Sequence, residues 1–145
     1  MSALRSASCR HAGTARRIPH RLVMLVVESI VAVAGTAGAG QLLTGTFTPP
    51  VADLAPLGLS TWTLPGLWLF ASVALPSGAA AWLLWRRAAA ALPAVLLAAG
   101  ALVVELVVQI PFLGPSLLQA VMGSCALVLA GLAIHARTVI RRPPT

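Results

Sequence analysis

An all-α fold, a four-helix transmembrane bundle with both termini on the cytoplasmic side, is what this sequence predicts, and three observations carry that expectation. The chain of 145 residues is 59% hydrophobic and only 9% charged, with a mean hydropathy of +0.93, so it has too little polar surface to coat a water-soluble globule of its size. Its apolar residues gather into four runs of roughly twenty, the length a helix needs to cross a bilayer. Finally, its ten basic residues are all arginines and fall into three groups, Arg5 to Arg21, Arg86 with Arg87, and Arg137 to Arg142. Four crossings put all three groups on one face of the membrane, and the excess of positive charge marks that face as cytoplasmic.

The net charge of +7 would suggest a nucleic-acid partner in a soluble protein. Here the juxtamembrane clustering accounts for the arginines through topology, and no nucleic acid is expected. Cys9 in the basic tail and Cys125 inside an apolar run belong to different environments and form neither a CxxC nor a metal set. The all-Arg basic set and the abundance of alanine have the character of a GC-rich bacterial genome.

Residues 1–21 are polar, Ala- and Ser-rich and carry five arginines, which predicts a disordered basic cytoplasmic tail. An AxA pattern at Ala37-Gly38-Ala39 would suit signal-peptide cleavage, but Glu28 lies inside the would-be apolar core and argues against it. The first span, 22–43, covers about 33 Å at the helical rise. Glu28 shares a stripe with Ala32, Gly35 and Ala39, small residues that admit a neighbouring helix closely, so it should face protein rather than lipid. The glycines from Gly35 to Gly40 follow no strand and do not make a phosphate loop.

Residues 44–64 are too broken by Pro49, Pro50 and Pro56 to span, and Leu54, Leu57, Leu59 and Trp62 suggest an outer loop lying on the membrane surface or capping the bundle. Thr63 followed by Pro65 reads as an N-cap with an early helical proline. The second span, 65–85, has Trp62 and Trp68 at one end and Trp82 and Trp85 at the other, as interfacial belts require. Pro76 near its middle removes a hydrogen bond and frees the carbonyl of Ser72, predicting a kink. The third span, 90–110, should stop before Pro111. The fourth, 115–136, carries Gln119, Gly123, Ala126, Ala130 and Ala133 on one face and ends in a basic tail, 137–145.

A glutamate in the first span followed by a glycine-rich stretch (Glu28, Gly35 to Gly40), a Pro-Gly helix start (Pro65-Gly66), an acid-amide pair (Glu105, Gln109) and a Leu-Gln opening the fourth span (Leu118-Gln119) resemble small four-span integral membrane proteins of bacteria, actinobacterial in character. The resemblance covers about residues 22–136. It implies the four-span architecture and carries no activity with it.

Glu105 is the sharpest functional candidate, since a carboxyl inside the hydrocarbon costs a few kcal/mol and is usually paired, protonated or facing water. With Gln109 one turn on, Gln119 past the next turn and Gln41 at the outer end of the first span, it predicts a polar cluster on the outer side, either a ligand or proton site or an interhelical clamp. Glu28 is expected to form an ion pair with Arg21, His135 or Arg137, whose long side chains reach inward from the helix ends. His135 has no second histidine in a span to share a metal or haem with. No nucleophile, base and oxyanion-donor set recurs at a usable spacing. Two leading functions follow: a non-enzymatic accessory or interaction subunit of a membrane assembly, and a small transporter or lipophilic-ligand binder with an outward-facing pocket at Glu105. A quinone-linked membrane enzyme or redox partner is the third. No metal and no cofactor is expected; the partners are the lipid bilayer and other membrane subunits or a second copy.

Overall fold

The computed structural model describes residues 18–46 and 48–141, apart from the side chains at 112 and 113. Residues 1–17 of the expected disordered tail, with Cys9 and His11, and Arg142 therefore lie outside the described residues, whereas Arg21, the last residue of that tail, already opens a helix.

Every regular element among the described residues is helical. Helix α1 spans Arg21–Thr44 and a 3-10 turn follows at Val51–Leu57. The second rod, Thr63–Trp85, is composite: α2 (Thr63–Leu69), a π turn (Phe70–Ala74) and α3 (Leu75–Trp85). Helices α4 (Ala91–Leu113) and α5 (Leu117–Arg141) complete four rods long and apolar enough to cross a membrane. Large side chains such as Leu97, Leu127 and Trp85 are each about 70% exposed, as a surface immersed in acyl chains demands.

Helix α1 turns one stripe inward. Met24, Glu28, Val31, Gly35 and Ala39 are its buried residues, three or four apart as a helical face requires. Gly35 is at a close approach: a Cβ there would lie 3.2 Å from Val73 Cγ1 and 3.3 Å from the backbone nitrogen of Ala74. A Cβ on Gly66 of α2 would come closer still to α1, at 3.1 Å from the Leu42 Cβ. Ser29, Thr36 and Thr44 donate their hydroxyls at 2.8 Å to carbonyls one turn back, which satisfies them without a partner helix. The helix ends on Gly45, whose φ of 74° gives the left-handed cap that glycine adopts without strain.

The core is not uniform along the bundle. At the arginine end Met24, Leu84, Leu92, Val95 and Leu129 interlock with alanines 80, 91, 98, 99, 133 and 136. A smaller cluster of Val31, Val73, Leu102 and Ala126 fills the middle. Both ends of the chain's helical part meet at the arginine end, where the rings of His20 and His135 lie 5.9 Å apart.

Three boundaries differ from expectation. Thr63 is already helical and Trp62 is the N-cap, with no side-chain cap, because the first turn is closed by the Gly66 amide on the Trp62 carbonyl at 2.9 Å. Helix α4 runs through Pro111 to Leu113, since a proline in the last turn removes only one rung. It stops at Gly114 (φ 67°), whose amide reaches the Ile110 carbonyl at 3.0 Å. Helix α5 continues past Ala136 to Arg141.

Candidate functional site

The π turn and Pro76 belong together. Proline supplies no N–H and its ring crowds the carbonyl four residues back. Just upstream, the Leu75 amide bonds the Phe70 carbonyl across five residues instead of four, which widens the helix there. The expected interruption at Pro76 thus takes the form of a π turn, and Ser72 sits within it.

Ser72 and Trp68, one turn apart, point at α4. Trp68 Nε1 donates to Glu105 Oε2 at 2.7 Å, and Ser72 Oγ lies 3.0 Å from the same oxygen. Gln109 Nε2 donates to Glu105 Oε1 at 2.9 Å. Ser72 Oγ is also 2.8 Å from the Trp68 carbonyl, so its single hydrogen serves one acceptor at a time. Glu105 is 5% exposed. Its carboxyl oxygens therefore face one indole N–H, one amide NH2 and one hydroxyl, and no cation is among these partners.

The loop closes the same end of the bundle. Leu54 of the 3-10 turn is buried, and the buried Trp62 anchors it by donating Nε1 to the Pro49 carbonyl at 2.9 Å. Between this cap and the helices lies a cavity of about 510 Å³. Leucines 42, 54, 57 and 59 and the rings of Trp62 and Trp68 form much of its wall, with Glu105, Gln109 and Gln41 as its polar members. Exposed Trp68 and Val108 are part of that wall, so the cavity reaches the surface of the bundle.

The sequence-predicted residues thus divide. Glu105, Gln109 and Gln41 meet at one cavity. Gln119 does not bond with them: its Oε1 accepts the Ser116 amide at 3.0 Å while the Gln119 amide approaches Ser116 Oγ at 3.3 Å, the reciprocal capping box that opens α5. Trp68 is the residue that sequence reasoning missed as a partner of Glu105, having been assigned to the interfacial belt. The signal was its i, i+4 relation to Ser72 on a span antiparallel to α4. Counting equal distances from the link at 86–90 brings Ser72 level with Glu105 to within about one residue.

Glu28 is fully buried, on α1 against α3. The Ser77 hydroxyl of α3 stands beside it, and no charged side chain pairs with either carboxyl oxygen among the described residues. Two of the three residues expected to pair with it have other neighbours: Arg21 Nη1 donates to the Leu84 carbonyl at 3.3 Å, and His135 faces His20. Arg137 is half-buried in the last turns of α5. The Arg86 guanidinium lies 5.1 Å from the centre of the Trp82 ring, a cation–π contact at the arginine end. Cys125 is a half-buried free thiol. Among the described residues no group of three His, Cys, Asp or Glu side chains converges as metal ligands would.

Comparison with known proteins finds no matching family model, no matching curated protein and no matching solved structure.

Proposed function

We propose that this multi-pass membrane protein binds a lipophilic small molecule in the cavity beneath its loop, with Glu105 as the polar anchor. One observation carries the reading: a cavity of about 510 Å³, drug-sized by the usual range, is walled by apolar and aromatic side chains and touches a buried carboxylate held in a fixed direction. The accessory-subunit reading has less behind it. The small-residue faces that would receive a partner are largely used inside the bundle, Gly35 on Val73, Gly38 on Leu69 and Gly123 on Leu106.

The reading places the arginine end in the cytoplasm of a bacterial cell and the loop and cavity on the outer side, following the charge asymmetry. Binding is tested with the uncharged fluorophore N-phenyl-1-naphthylamine on protein in lipid nanodiscs, followed by quenching of tryptophan emission. Saturable quenching that Val108→Phe weakens is expected, because the new ring takes up cavity volume. Linear partitioning, unchanged by that substitution, would remove the proposal. Orientation is tested separately by labelling Ala52→Cys and Ala88→Cys in a background without Cys9 and Cys125: an impermeant maleimide should reach the first from outside and not the second.

A further inference from the structure

We infer that the ligand of this cavity is a lipophilic cation, an amine or onium centre carried on an apolar body. The inference rests on the binding reading and narrows its chemistry. Three donors surround Glu105, and two of them, the Trp68 indole and the Gln109 amide nitrogen, can only donate. They orient the carboxyl, but an indole, an amide and a hydroxyl are neutral, so none of them is a countercharge for its ionised form. The described arginines cannot balance it. Arg21, Arg86, Arg87, Arg137 and Arg141 all sit at the opposite end of the bundle, where Arg21 bonds the Leu84 carbonyl and Arg86 lies over Trp82.

In apolar surroundings a carboxyl keeps its charge at low cost only when a cation joins it, and it is protonated otherwise, so a cationic ligand is the one whose binding the ionised form rewards. The cavity supplies the rest of such a site. Trp62 and Trp68 form part of its wall, and aromatic faces attract an organic cation through their quadrupole. Both indole N–H groups are already committed, to the Pro49 carbonyl and to Glu105, so the rings offer the ligand their π surfaces rather than a donor. Leucines 42, 54, 57 and 59 receive the apolar body. An anionic headgroup finds no cationic side chain in this wall and meets a carboxylate instead.

The test uses two probes of nearly the same shape and opposite charge, tetraphenylphosphonium and tetraphenylborate. Both are titrated by equilibrium dialysis onto detergent-purified protein, with partitioning into protein-free micelles subtracted. Tetraphenylphosphonium should bind saturably and at least about tenfold more tightly than tetraphenylborate, and Glu105→Gln should shrink that cation-over-anion ratio by about tenfold. Equal binding of the two ions to the unaltered protein, a comparison that needs no variant, overturns the cation assignment while the cavity reading survives through the neutral probe. Failure of all three probes to bind overturns both.

Discussion

Trp68 donates its indole N–H to Glu105 at 2.7 Å although 56% of its surface is exposed. The two residues belong to different rods, and the bond crosses from α2 to α4 at the edge of the cavity. A ring that sequence position alone assigns to the interface is thereby fixed as a wall of the site, and the carboxyl it holds points where a ligand can meet it.

Replacing Trp68 with Phe keeps an aromatic face and deletes the donor. A hydrogen bond to a carboxylate in a membrane bundle is worth about 1–2 kcal/mol, so Trp68→Phe should lower stability by that amount. Unfolding of purified protein by a denaturing detergent measures it. A variant as stable as the parent would show that the bond contributes nothing to holding α2 on α4.

Glu28 predicts the reverse sign. Both of its oxygens are buried, with the neutral Ser77 hydroxyl beside them and no charged partner among the described residues, so truncating the carboxyl to an apolar side chain removes more desolvation penalty than interaction. Glu28→Leu should raise stability by about 1–3 kcal/mol in the same assay. A loss of that size would mean that the carboxyl has a stabilising partner after all.

The glycines separate packing from propensity. At Gly35 a Cβ meets the backbone of Ala74 at 3.3 Å, and backbone cannot rotate out of the way, so Gly35→Ala should cost about 1–3 kcal/mol. At Gly100 a Cβ has nothing within 4 Å, so Gly100→Ala should be neutral or gain up to about 1 kcal/mol from helix propensity. Parallel thermal melts compare the two, and equal losses would contradict the close approach of α1 to the π turn.

The four rods and the burial of Glu28 and Glu105 were legible in the sequence, because apolar length and the cost of a charge in hydrocarbon are properties of single segments. What joins one rod to another was harder to read. Gln119 looked like a member of the Glu105 cluster by depth, but Ser116 three residues before it offers a local capping partner, and a local bond forms without closing any loop. Glu28 was expected to find Arg21, yet Arg21 starts the same helix and turns to the Leu84 carbonyl at the end of α3. Trp68 was missed for the opposite reason, since its donor role emerges only once α2 and α4 are laid side by side.

Pro76 and the π turn just before it both bear on where α2 stands relative to α3. If the π turn reverted to regular helix with the same residues, α2 would rotate by about 100° relative to α3 and carry Trp68 and Ser72 away from Glu105. That rotation would also unseat Gly66 from Leu42 and Ala39 of α1, whose atoms lie within 3.3 Å of its would-be Cβ. These contacts should outweigh the single rung that Pro76→Ala restores, so the substitution is expected to keep the π turn while slowing hydrogen exchange of the amides between Ser72 and Ser77. Tryptophan emission should stay as in the parent and unlike that of Trp68→Phe. A shift of emission toward that variant, with loss of cation binding, would show that the proline alone sets the turn and that the packing of α2 on α1 follows from it.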